Sequence, residues 1–216
     1  MKQKENRTLK QMMRTFPLLF VLLFGAVHCT NAQNASAYLG FGTATASSSG
    51  QGIDTFGTGT PFYTPRMGGL FATLGGDYMF RPHLGFGAEA SWRVRQGSYA
   101  GLNYRPSFYD FNVIWQPITA SKRVVPAFQG GLGGVKLSFY NNQQSCNAFT
   151  GCSTSSGLLA ASSHFQLHFA GGVRFYVKPN IFIRPQVDVH WVNNFFQFGS
   201  SVVPQYSIAI GYTFGR

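Results

Sequence analysis

The sequence predicts an all-β fold: eight antiparallel strands closed into a barrel, behind an N-terminal export signal. Three observations predict it. Apolar and polar residues alternate with period two in eight segments after residue 34, the signature of strands with two different faces. The chain is 44% hydrophobic and 16% aromatic but only 11% charged, where an average soluble domain carries about 25%. The one long apolar run sits at the N-terminus. The neutrality comes from 26 Gly, 22 Phe and many Ser, Thr, Asn and Gln, at a mean hydropathy of -0.02. That composition excludes a disordered chain, which is poor in aromatics and rich in charge. It also excludes a coiled coil and a bundle of membrane-spanning helices.

Residues 1–32 read as a secretory signal peptide. Lys2, Lys4, Arg7, Lys10 and Arg14 form a basic start, Phe16 to Val27 is apolar, and Thr30-Asn31-Ala32 supplies small residues for cleavage. The apolar run falls short of the roughly 20 residues of a membrane helix. Cleavage after Ala32 is expected, with Ala35-Ser36-Ala37 as a competing site. The signal removes five of the seventeen basic residues and one of the six acidic ones, so the net charge falls from +11 to +7. No basic stripe for nucleic acid remains. Cys29 leaves with the signal. Cys146 and Cys152, six apart in a polar stretch, are expected to form a disulfide in an oxidising compartment.

Residues 33–216 form one domain. The first strand, about 35–46, is Gly-rich. The second spans about 66–80. The third sets Leu84, Phe86, Ala88, Ala90, Trp92 and Val94 on one face against Gly85, Gly87, Glu89, Ser91, Arg93 and Arg95. The fourth covers about 106–116. The fifth, about 124–140, carries Gly130-Gly131 and Gly133-Gly134, a mark of a bulge or bend. The sixth alternates from His164 to Val177, the seventh from Ile181 to Trp191, and the last from Pro204 to Phe214. The connections at 81–83, 117–123 and 178–180 are short. Those at 47–65, 97–105, 141–163 and 192–203 are long. One end of the barrel therefore has tight turns and the other long loops.

The two faces decide the environment. The polar face is Gly, Ser, Thr, Asn and Gln with few charges, unlike the coat of a soluble barrel. The apolar face is aliphatic in its middle. Tyr78, Phe80, Trp115 and Phe214 lie at its short-turn end, and Trp92, Tyr109, Trp191 and Tyr206 at its long-loop end. Two aromatic girdles around an aliphatic band match the lipid-facing surface of a transmembrane β-barrel. Closure is required there, because an open edge would leave backbone groups unpaired in hydrocarbon.

With the signal, eight strands, the short-turn and long-loop rhythm and the ending Gly211-Tyr212-Thr213-Phe214, the chain resembles small bacterial outer-membrane β-barrels of the OmpA/OmpX type. The resemblance covers nearly all of residues 34–216. It implies insertion among outer-membrane lipids, a C-terminal strand read by the barrel assembly machinery, a monomer, and a possible extracellular ligand at the long loops. It does not assign an activity, since one barrel hosts structural, adhesive, gating and enzymatic proteins.

An eight-stranded barrel is filled by side chains. The inward set is Asp77, Glu89, Arg93, Arg95, Asp110, Asn112, His168, Arg174, Arg184, Gln186, Asp188 and His190, with Lys136 at its margin. Buried charges must pair. Local register sets Asp77 near Gly87, Glu89 opposite Gly75, Arg93 or Arg95 across from Asp110, and His168 across from His190. It also sets Arg174 across from Arg184, a repulsive pair that Glu89 or Asp188 would relieve. The expected function is an integral outer-membrane barrel with a structural or surface-interaction role and a polar, plugged lumen, with no enzyme activity, cofactor or metal. Two alternatives stand beside it. One is a narrow gated ion channel through the charged lumen. The other is a lipid A-modifying hydrolase using Asp188, His190 and Ser207, although Asp188 and His190 lie about 7 Å apart along one strand. His168 and His190 could meet a metal only with a third ligand that the sequence does not identify.

Overall fold

A computed structural model describes residues 34–46, 52–54, 57–99, 101–118, 123–147, 151–195 and 198–215. The predicted signal peptide and its cleavage site lie outside them. Eleven strands are present: β1 (Asn34–Ala44), β2 (Gly52–Ile53), β3 (Phe62–Tyr63), β4 (Phe71–Arg81), β5 (Leu84–Arg93), β6 (Gly97–Tyr99), β7 (Leu102–Trp115), β8 (Val124–Asn147), β9 (Gly151–Tyr176), β10 (Ile181–Val192) and β11 (Val202–Phe214). Eight of them make the barrel. Each pairs antiparallel with its neighbour, β5 with β7, and β1 with β11, which closes the ring.

Period two dictates both faces. β10 shows it most clearly: Phe182, Arg184, Gln186, Asp188 and His190 are buried, and Ile183, Val187, Val189 and Trp191 face out. The apolar set faces outward around the whole barrel. Phe111 is 71% exposed, Ile210 59% and Ile208 58%, while Arg174, Arg184 and His168 are buried inside. A soluble barrel would invert this order. Most barrel strands run 10–14 residues, enough to cross a bilayer, which takes about 9–11 tilted residues.

Two strands are longer than their periodicity suggests. β8 and β9 hold 24 and 26 residues. The predicted loop 141–163 is therefore mostly ribbon, shifted in register by one residue at Phe139/Tyr140. Past the last pairing with β7, at Asn103↔Tyr140, residues 141–147 continue for about 24 Å at 3.4 Å per residue. Polar Ser, Asn, Gln and Thr make this ribbon unreadable as an amphipathic strand; the backbone pairing reveals it. The ladder sets Cys146 across from Cys152. The side chain of Cys146 lies outside the described residues. Within the predicted loop 97–105, Gly97–Tyr99 pairs back onto Leu102–Tyr104 around Gly101, whose φ of 79° suits a residue without Cβ.

The paired glycines of β8 mark no bulge, because the ladders to β7 and β9 run through them without a shift. They make room. A Cβ on Gly131 or Gly133 would overlap the β7 backbone beside Asn112 and Asp110, and one on Gly75 would overlap the Tyr38 ring. Large lumenal side chains therefore sit opposite glycine.

Candidate functional site

The lumen is built in tiers. A polar tier in the middle carries the charges. Across the barrel, Arg184 Nη2 donates to Glu89 Oε2 at 3.0 Å, and Arg174 Nη2 donates to Asp77 Oδ2 at 2.8 Å. Glu89 Oε2 is a hub. It also accepts from Tyr38 Oη at 2.8 Å and Gln186 Nε2 at 3.3 Å. The Arg184 guanidinium lies over the Tyr38 ring, 3.6 Å from its centroid, which adds cation–π attraction. From this hub the network continues upward. Gln186 Nε2 donates to Asp188 Oδ1 at 2.5 Å, His168 Nε2 meets the same oxygen at 3.1 Å, and His168 Nδ1 meets Asn112 Oδ1 at 2.8 Å. Gln166 Nε2 donates to Asp110 Oδ1.

Apolar tiers lie above and below. At the long-loop end Met67, Phe71, Tyr104, Phe108, Phe195 and Phe198 belong to one buried cluster. Phe195 and Phe198 come from the 192–203 connection, which turns at Asn194 with φ 55° and stacks the two rings 4.5 Å apart. At the short-turn end Phe182 packs with Tyr38 and Tyr176, and Met79 packs with Ile114. The sequence pattern marks strand faces, so it missed the loop aromatics that fold into the mouth. Phe139 packs against that upper cluster.

Of the twelve inward residues expected, ten meet in the polar tier: Asp77, Glu89, Asp110, Asn112, His168, Arg174, Arg184, Gln186, Asp188 and His190. Arg93 and Arg95 do not join them. Asp110 sits across from Glu89, and Ser91 across from Phe108. This register places Arg93 at the rim, where its Nη1 donates to Tyr104 Oη at 3.0 Å and to the Arg66 carbonyl at 3.2 Å. Arg95 follows β5 and is exposed. Lys136 faces out, because Val135 and Leu137 take the lumenal positions of β8. The expected pairing of His168 with His190 is present, and so are Gly75 with Glu89 and Asp77 with Gly87. The same ladder sets Arg174 beside Arg184, and each finds its own carboxylate across the lumen. The eight girdle residues lie on outward positions. Trp115 is 52% exposed, Phe214 53%, Tyr206 50% and Tyr109 45%, and Phe80 stacks on Phe86.

The chemistry open to the lumen is narrow. Asp188 Oδ1 is bonded to His168 and Gln186, and His190 makes no hydrogen bond, so Asp188, His190 and Ser207 do not form a hydrolytic relay. Asp110 supplies the third metal-ligand type that the sequence did not identify: its oxygen and one nitrogen each of His168 and His190 lie within 4.8 Å of one another. The rings are wrong for coordination. His190 is stacked between Phe108 at 4.6 Å and His168 at 4.8 Å, the two imidazoles 22° from parallel. Near-parallel rings aim their in-plane lone pairs side by side, whereas zinc needs them to converge at about 2.0–2.1 Å. The stack reads as packing.

Known proteins place this architecture. Among curated proteins none matches the chain. Solved structures do match in fold. A major outer membrane protein of Thermus thermophilus is 12% identical, with 85% of this chain and 100% of that one covered at a TM-score of 0.56. The outer membrane protein OprG of Pseudomonas aeruginosa is 15% identical, covering 86% and 97% at 0.53. Ail, the attachment invasion locus protein of Yersinia pestis, solved with the heparin analogue sucrose octasulfate, is 16% identical, covering 84% and 99% at 0.52. The family model of the outer membrane protein beta-barrel domain matches residues 16–214. The chain belongs to that family and is a protein of the outer membrane.

Proposed function

We propose that this protein is a closed, non-enzymatic scaffold that presents a surface-interaction site at its long-loop end. The observation that carries the reading is the tiered lumen. A polar tier alone could pass ions; a polar tier capped on both sides by packed aromatic and aliphatic side chains is a plug. The same caps keep lipid from the buried histidines, which speaks against a hydrolase. The working surface is then the rim and the β8–β9 ribbon, with Cys146 and Cys152 joined near its tip. The Tyr78, Phe80, Trp92, Tyr109, Trp115, Trp191, Tyr206 and Phe214 rings would lie at the two bilayer interfaces. The β11 strand would be the segment read by the barrel assembly machinery, and the folded protein would be a monomer.

Planar-bilayer recording tests the plug. The purified, refolded protein should show no discrete conductance, and neither should Arg93→Gln. Steps that change in size when Arg93 or Arg184 is neutralised would establish the channel instead.

A further inference from the structure

The carboxylates are unevenly distributed. Of the five that follow residue 32, four (Asp77, Glu89, Asp110 and Asp188) are buried in the lumen. Asp54 is the fifth, and its two oxygens accept the N–H groups of Thr58 at 3.0 Å and Gly59 at 2.7 Å. The long-loop end holds Arg66, Arg93, Arg95 and Arg105. Among the described residues none of these four forms an ion pair. The cations of this end therefore lack carboxylate partners among the described residues.

Two of them line a cavity of about 520 Å³. It lies between the segment Tyr63–Arg66 and the β6–β7 turn, with Arg93 and Tyr104 in its wall and no acidic residue in its lining. Arg93 is held in place. Its Nη1 is bonded to Tyr104 Oη and the Arg66 carbonyl, and its guanidinium lies 5.4 Å from the Tyr104 ring centroid. Among the described residues its Nε and Nη2 make no hydrogen bond. The Arg66 side chain is exposed beside it, and Tyr63, 75% exposed, flanks the opening. A guanidinium fork binds oxyanions through two parallel hydrogen bonds. Tyrosine rings offer flat apolar faces with a polar edge, the surface on which a sugar ring stacks. The volume is in the range of small-ligand sites, about 300–1,000 Å³.

We infer that this cavity binds an anionic saccharide, a sugar bearing sulfate or phosphate, with Arg66 and Arg93 on the anion and the exposed Tyr63 ring against the sugar. The inference rests on the reading that the long-loop end faces outward. The sugar could be carried by the cell's own outer-leaflet glycolipid or arrive from outside on a sulfated glycan.

The test is calorimetric titration of the full, refolded chain in detergent micelles with three probes: an acyl-free diglucosamine bisphosphate, a sulfated disaccharide and a neutral disaccharide. One or both anionic probes should bind, and the tighter identifies the source. The neutral probe should not bind. Arg66→Gln should weaken the bound probe at least tenfold. Lys178→Gln, which removes an exposed cation from the turn at the opposite end, should leave it unchanged. Unboiled gel mobility verifies the fold of each variant. Failure of both anionic probes, equal binding of the neutral sugar, or equal loss with Lys178→Gln would overturn the inference. The outward orientation is checked separately, by antibody binding on intact cells to an epitope inserted after Thr60. A hidden epitope would sink the orientation while leaving the binding result to stand or fall alone.

Discussion

Glu89→Ala removes the hub of the polar tier, and its cost follows from the geometry. One oxygen accepts from Arg184, Tyr38 and Gln186 at 3.0, 2.8 and 3.3 Å. At the 3.0 Å separation of the ion pair, an effective dielectric near 20 gives an attraction of about 5.5 kcal/mol. Desolvation of both groups offsets much of it, but Ala returns none of that desolvation to Arg184. The arginine stays buried, with Nε and Nη1 already lacking partners. Removing one member of such a pair costs about 3–5 kcal/mol. Glu89→Gln keeps an acceptor oxygen and should cost less, about 1.5–3 kcal/mol. Pairing it with Arg184→Met should destabilise by less than the sum of the single changes, with a coupling of about 0.5–3 kcal/mol. Urea unfolding from phospholipid vesicles, followed by tryptophan fluorescence, measures each value. A Glu89→Ala variant within 0.5 kcal/mol of the parent (about the scatter of a surface change), or fully additive double-variant energies, would refute the cross-lumen pair.

Three further outcomes are expected. Ile208, 58% exposed on the outer face, should tolerate Leu, whereas Ile208→Arg should cost about 2–4 kcal/mol in the same vesicle assay; equal stability would reverse the assigned face. Gly133→Val should block refolding, since its Cβ would overlap the β7 backbone beside Asp110, while Gly157→Val, with open space around it, should refold normally; equal refolding yields would remove the space-making role. Reduction should release two thiols that react with maleimide while leaving the unboiled gel mobility of the barrel intact. Maleimide uptake without reduction would exclude the Cys146–Cys152 bond.

The two-faced strands were legible because side-chain direction alternates with every residue, whatever the strand pairs with. The β10 alternation is present in the letters of Ile181 to Trp191 before any neighbour is known. The ribbon 141–147 was not legible, since its residues are polar on both sides and carry no apolar alternation. Arg93 was misplaced for a related reason. Alternation gives it the lumenal parity, but depth along the barrel depends on the turn, and the β6–β7 pairing around Gly101 sets Asp110 against Glu89.

By itself, then, the sequence determined the class, the two-faced character of the strands and most of the polar tier, with Arg93 and Arg95 wrongly included. Tertiary structure decided who pairs with whom. Local register suggested neighbours a few residues across a turn, yet the ion pairs join Glu89 to Arg184, 95 residues apart, and Asp77 to Arg174, 97 apart. Such partners meet only when the sheet curls until β1 bonds to β11. Closure also turns the mouth into a cavity that Phe195 and Phe198 fill. Periodicity is a property of one strand, and a packed lumen is a property of the closed ring.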